Sequence, residues 1–239
     1  MVNDTILPLK LLGVEVKRRG KRLVGPVDLE IGTQGSTMII GPNGAGKTSL
    51  LKAMHGLERL SAGTRAWRVS ESEARRRQGF VFQIPVMMRR SVLDNVAYPL
   101  VVHGVPREKA RDRARDWLSR VGLGDASDRQ ATVLSGGERQ KLALARALIR
   151  EPDILFLDEP CASLDGRATR EIEDILQKAH GDGTRIVMAT HDMGQARRLA
   201  SDVLFIYRGR VHDHGPVESF FDNPETREAK LFLNGDILE

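Results

Sequence analysis

Eight consecutive residues carry the densest chemistry in the sequence: Gly41, Pro42, Asn43, Gly44, Ala45, Gly46, Lys47 and Thr48, with Ser49 next. Their spacing, G-x-x-x-x-G-K-[ST], is that of a phosphate-binding loop. The glycines let successive backbone N–H groups turn toward one anion, which the N-terminus of a following helix also favours. Lys47 is placed to pair with the β- and γ-phosphates of a nucleotide, and the Thr48 hydroxyl to ligate Mg²⁺. A second constellation is Asp158 and Glu159, which close the apolar run 154–157. Two carboxylates at the end of a buried strand are costly unless a cation or a reaction uses them. Downstream of a phosphate loop, Asp158 suits a magnesium ion held through water and Glu159 suits a general base on an attacking water.

Both constellations need strands to hold them. Residues 37–40 read as a buried strand that runs into the phosphate loop, and residues 48–56 have helical spacing, so strand, loop and helix follow in order. Further strands are expected at 153–158, 185–190 and 203–207, with helices at 165–179 and 193–199 between them. This alternation predicts a parallel sheet with helices on both faces. Residues 9–16 and 23–31 instead read as antiparallel strands. Between 83 and 134 the strand signal disappears, and Ala110, Ala114, Leu118 and Val121 recur at helical intervals. This stretch is expected to be an inserted helical subdomain, with two short helices in the tail 216–239, broken near Asn223 and Pro224.

Composition narrows the partners. With 239 residues, 41% of them hydrophobic, the chain can bury a sizeable core. The net charge of +5 is spread through mixed-charge stretches such as 107–120, the pattern of a solvated helix face rather than of a nucleic-acid binder. The single cysteine, Cys161, excludes a disulfide within the chain, and no charged-then-apolar signal segment opens the sequence, so a cytoplasmic location is expected. Its apolar runs fall far below the ~20 residues that span a bilayer, so work at a membrane would require a second chain to cross it.

The run Leu134-Ser-Gly-Gly-Glu-Arg-Gln140 opens a helical stretch. Physically, Ser135, Gly136 and Gly137 make a helix N-terminus able to receive an anion. This run resembles the signature of ATP-binding cassette (ABC) ATPases, and the resemblance extends over nearly the whole chain in the expected order. It implies an α/β fold of the P-loop NTPase class and ABC ATPase type: a mostly parallel sheet core, an N-terminal antiparallel β subdomain and an inserted helical subdomain. The whole of 1–239 is then one ATPase domain, with 1–83 and 135–239 as nucleotide-binding core and 84–134 as the insertion ending at the signature. ATP and Mg²⁺ are the implied cofactors. Gln83 looks like the family's glutamine that contacts Mg²⁺ and the attacking water, His191 like its γ-phosphate histidine, and Asp165 like the residue that reaches across a dimer. The implied mechanism has two copies sandwiching two ATP molecules, each phosphate loop facing the partner copy's Ser135, Gly136 and Gly137. ATP closes the pair and hydrolysis releases it.

Two departures stand out. Relatives commonly stack an aromatic ring on adenine near the first strands, but residues 16–20 have none, leaving Arg18 or Arg19 to stack a guanidinium plane instead and predicting weak base selectivity. Gly166 stands where many relatives carry proline, which would loosen that turn. Cys161, two residues beyond Glu159, is either a small buried residue or a thiol whose oxidation disturbs the site. The segment 81–96 resembles the stretch of bacterial importers that docks the permease's cytoplasmic helix. There Met87 and Met88 suit either an adaptable groove or the core. Residues 190–199 and 223–236 are similar to those of oxyanion importers, above all tungstate importers, with molybdate, phosphate, sulfate and polar amino acids left open. The implied partners are a second copy, an integral-membrane permease and, indirectly, an external solute-binding protein, which places the subunit on the cytoplasmic face of the plasma membrane. A soluble, non-transport cassette is the rival reading; such proteins usually carry two cassettes or a long coiled-coil insertion.

Overall fold

The computed structural model describes residues 5–236; the outermost residues of the 1–239 domain and the last three of the tail lie outside them. The chain opens with β1 (Leu9–Arg18) and β2 (Lys21–Ile31), an antiparallel pair joined on the other edge of β1 by β4 (Ala62–Ala66). Between them come β3 (Ser36–Ile40) and α1 (Lys47–His55), and after them α2 (Glu71–Ala74) and β5 (Gln78–Val81). Helices α3 (Val92–Val102), α4 (Arg107–Arg120) and α5 (Gly136–Leu148) follow without a strand. The alternation then resumes with β6 (Ile154–Asp158), α6 (Gly166–Gly181), β7 (Arg185–Ala189), α7 (Met193–Leu199) and β8 (Asp202–Tyr207). The antiparallel β9 (Arg210–Pro216) and the short helices α8 (Val217–Asp222) and α9 (Arg227–Asn234) close the chain.

The central sheet has the order β5-β6-β7-β3-β8-β9 and is parallel as far as β8. Its strands β3, β6 and β7 are buried at every residue, as strands covered on both faces must be, which is why they read as unbroken apolar runs. One face, with Ile39, Phe156, Val187 and Leu204, packs on Leu50, Leu51 and Met54 of α1 and on the three-stranded sheet. Helices thus lie on both faces, as expected, and the antiparallel sheet shares this one with α1. The other face, with Met38, Leu155, Met188 and Phe205, packs on α5, α6 and the tail helices. Strands β4, β5 and β9 were not legible beforehand. They are short or polar (Gln78, Gly79; His212, Asp213, His214) and are held by pairing to an apolar neighbour, as Asp213 is opposite Phe205.

A third cluster joins Val92, Leu93, Val96 and Leu100 of α3 to Ala110, Ala114 and Leu118 of α4. It also takes in Leu142, Ala145 and Ile149, while Leu144 and Leu148 of α5 face the sheet cluster. The four-residue spacing on α4 makes one apolar face, and its charged side ion-pairs, Arg111 to Asp94 at 3.4 Å and Arg113 to Glu151 at 3.3 Å.

Candidate functional site

The phosphate loop is pressed against its neighbours so closely at Gly41 and Gly46 that a side chain has no room there. A Cβ on Gly41, at φ +150°, would lie 2.0 Å from the Ile206 carbonyl oxygen, and one on Gly46, at φ +111°, 2.8 Å from that of Leu23. Gly46 is also the N-cap of α1 and supplies no side-chain cap, so the first-turn N–H groups of α1 face the loop. The buried Lys47 ammonium curls over it, donating to the Gly41 carbonyl at 2.9 Å. The Thr48 hydroxyl donates to Asp158 Oδ1 at 2.7 Å. Burial pushes the Asp158 carboxyl above its ordinary range, against the opposing pull of Thr48, Lys52 and Lys47. A carboxylate in that position gains from a cation. A hydroxyl and a carboxylate are hard oxygen donors that fit Mg²⁺, and among the described residues no group of three or more acidic, His or Cys side chains could hold a metal alone. A magnesium ion held by these two groups would need further oxygen ligands.

Glu159 turns the strand end toward this loop. Its φ is +47°, a left-handed conformation that disfavours side chains, and its N–H is held by the Ala189 carbonyl at 3.0 Å. The carboxylate thereby comes within 3.5 Å of Lys47 Nζ and accepts from His191 Nδ1 at 2.9 Å. Lys47, Thr48, Asp158, Glu159 and His191 thus meet, although up to 144 positions separate them in the chain. Such a group can cradle a phosphate chain, hold a divalent cation and take a proton from water.

The remaining predicted residues stand apart. Gln83 is exposed just beyond β5 and makes no hydrogen bond among the described residues. Ser135 caps α5 in a reciprocal capping box with Glu138, and neither it nor Gly136 and Gly137 lines the phosphate-loop cleft. Asp165 caps α6, accepting from Arg167 N at 3.0 Å and Ala168 N at 2.8 Å. The next residue, Gly166, has open space about its Cα.

That cleft, about 530 Å³, is lined beyond Asn43, Gly44, Ala45 and Ser49 by Lys21, Arg22, Leu23, Arg208 and Gly209. Arg18 is not among them; its largely exposed guanidinium pairs with Glu58 at 3.1 Å, and Arg19 sits in the β1–β2 turn outside the lining. The segments that supply this lining, the start of β2 and the β8–β9 turn, carry no motif. Cys161 is half-buried against the second core cluster, and burial pushes its thiol up to about 11, away from the thiolate that oxidants attack, which favours the packing reading over the sensor. Met87 packs into two core clusters, and the exposed apolar side chains at the start of that segment are Phe82, Ile84 and Val86.

A family model described as ABC transporter matches residues 24–162. The chain is 38% identical to the phosphate import ATP-binding protein PstB 2 of Natronomonas pharaonis, over 96% of this chain and 87% of that protein. It is 34% identical to the L-cystine transport system ATP-binding protein TcyN of Escherichia coli, over 93% and 96%. Among solved structures, cbiO1 from Clostridium perfringens, described as part of the ABC transporter complex cbiONQ, superposes with a TM-score of 0.80 over 98% of this chain and 97% of that one, at 28% identity. The ATP-binding cassette MJ0796, in a dimeric post-hydrolysis state bound to ADP and Pi, superposes with a TM-score of 0.78 over 87% and 98%, also at 28% identity.

Proposed function

This chain belongs to the ABC transporter family, and we propose that it is the subunit of an importer that couples ATP hydrolysis to solute uptake through a separate permease. It binds ATP and is an ATPase. The observation that carries the catalytic assignment is the Glu159 carboxylate, held between Lys47 Nζ and His191 Nδ1 at the mouth of the phosphate loop. Gly41 to Ser49 cradle the phosphates, with Lys47 on the β- and γ-groups. Thr48, Asp158 and Gln83 would hold Mg²⁺, which neutralises phosphate charge when bound. Glu159 takes the proton of the attacking water, and His191, holding Glu159 through Nδ1, presents its other nitrogen to the γ-phosphate.

Ser135, Gly136 and Gly137 lie outside their own chain's cleft, which supports the reading that they complete the site of a second copy, with the Asp165 segment at the dimer seam. Residues 1–83 and 135–239 form the nucleotide-binding core, and 84–134 the inserted helical subdomain. Among the described residues no helix is long and apolar enough to cross a membrane. The exposed Ile84 and Val86 offer the permease a contact on the cytoplasmic face of the plasma (inner) membrane, with an external solute-binding protein acting through that permease. The cargo is an oxyanion, tungstate foremost, supported by the 190–199 and 223–236 resemblance; saturable uptake of an amino acid but of no oxyanion by the reconstituted transporter would refute it.

Glu159→Gln tests the catalytic core. The variant should form a stable ATP-bound dimer that does not turn over. A monomeric variant hydrolysing at the wild-type rate would remove Glu159 as the base.

A further inference from the structure

Behind His191, a hydrogen-bonded chain of buried side chains has no part in the mechanism above. Glu173 of α6, 5% exposed, accepts from Arg198 Nε at 3.0 Å, from Arg198 Nη2 at 2.7 Å and from Gln195 Nε2 at 3.2 Å. Gln195, 1% exposed, accepts through Oε1 from the Thr190 hydroxyl at 2.9 Å. Thr190 Oγ1 in turn accepts from Asp192 N at 3.1 Å, and Asp192 Oδ1 accepts from Gln195 N at 2.9 Å. Thr190 and Asp192 are the two neighbours of His191.

An apolar side chain would fill the same space without the cost of burying an amide. A buried amide bonded at both ends has a single orientation, and this one is tied to a carboxylate that two arginine N–H groups already fix. The turn it holds carries an exposed imidazole whose only hydrogen bond among the described residues is to Glu159.

We propose that Gln195 is a positioning residue for hydrolysis: anchored on Glu173, it fixes Thr190 and thereby the turn that aims His191 at Glu159. The proposal rests on the roles given above to Glu159 and His191. It predicts that loosening the turn slows the chemical step and spares nucleotide binding, because the phosphate loop lies on another segment.

The test is single-turnover hydrolysis and fluorescent-ATP binding by the full chain as wild type, Gln195→Met, Thr190→Val and Thr190→Ser. Thr190→Val keeps the shape and removes only the hydroxyl, whereas Thr190→Ser keeps the hydroxyl. Gln195→Met and Thr190→Val should each slow hydrolysis by about 10-fold or more with ATP affinity within about threefold of wild type, as misplaced catalytic groups do. Thr190→Ser should hydrolyse within about threefold of wild type. Wild-type rates in both disruptive variants overturn the proposal, as does affinity falling in step with rate, the mark of a merely structural role. If Gln195→Met does not fold, the Thr190 pair decides alone. A wild type that binds ATP without hydrolysing it would bring down the reading of Glu159 together with the proposal.

Discussion

His55, the last residue of α1, should make the protein acid-sensitive well above the range where carboxylates titrate. Its ring is packed edge-on between Phe80, at 5.3 Å, and Phe156, at 5.7 Å, and its Nδ1 is buried without a hydrogen-bond partner. Burial, and then the nearby Arg65 and Arg75 charges, lower its pKa from 6.5 to about 4. The neutral ring is thus the folded form, and between those two values the unfolded chain binds the extra proton. Stability from this residue is therefore complete above about pH 6.5 and is lost as pH falls toward 4. Each pH unit of depression is worth about 1.4 kcal/mol, so the whole effect is about 3 kcal/mol, of which about 2 is lost between pH 7.5 and 5. The perturbation is His55→Phe, which keeps an aromatic ring against Phe80 and Phe156 and cannot ionise. Urea unfolding of both proteins at the two pH values should find wild type losing about 2 kcal/mol more than the variant. NMR titration of the ring should give a pKa well below 6. Equal losses in the two proteins, or a ring that titrates near 6.5, would refute the argument.

Arg185, buried at the start of β7, donates to Asp202 at 3.2 Å, to Thr37 Oγ1 at 2.6 Å and to the Gly32 carbonyl at 3.3 Å. Arg185→Met should therefore destabilise the fold by about 3 kcal/mol, read as a lowered urea midpoint, because it strands the partners of a buried charge. The wall of the nucleotide cleft beyond the phosphate loop is Lys21, Arg22, Leu23 and Arg208, which offers cationic and apolar surface to a base and no aromatic ring. ATP and GTP should then bind within about fivefold of each other, since guanidinium and alkyl groups pack on either purine. A preference of a hundredfold in competition binding would show that a purine-reading group has been overlooked.

Residues 41–49 and the Asp158–Glu159 pair were legible in the sequence because a phosphate and a cation dictate residue types that are adjacent in the chain. The buried strands were legible because burial on both faces forces unbroken apolar runs, as in β3 and β6. What escaped depends on partners distant in sequence. Strand β9 is polar and owes its conformation to β8, and the Lys21–Leu23 start of β2 and the Arg208–Gly209 turn meet the phosphate loop only through folding. The Arg18 ion pair was hidden for the same reason, since Glu58 lies forty residues away. No spacing rule would have paired Gln195 with Glu173, since that contact exists only once α6 and α7 lie side by side.

Helix α5 belongs to two cores at once, with Leu142, Ala145 and Ile149 in the helical cluster and Leu144 and Leu148 against the sheet. Its thirteen residues make a stiff rod of about 20 Å whose free end is the Ser135 cap. Tilted by about 10° at its sheet end, such a lever swings that cap through about 3 Å, the difference between a hydrogen bond and none. Under the mechanism proposed above, a force on α3 and α4 would thereby be geared to whether the signature residues reach a phosphate.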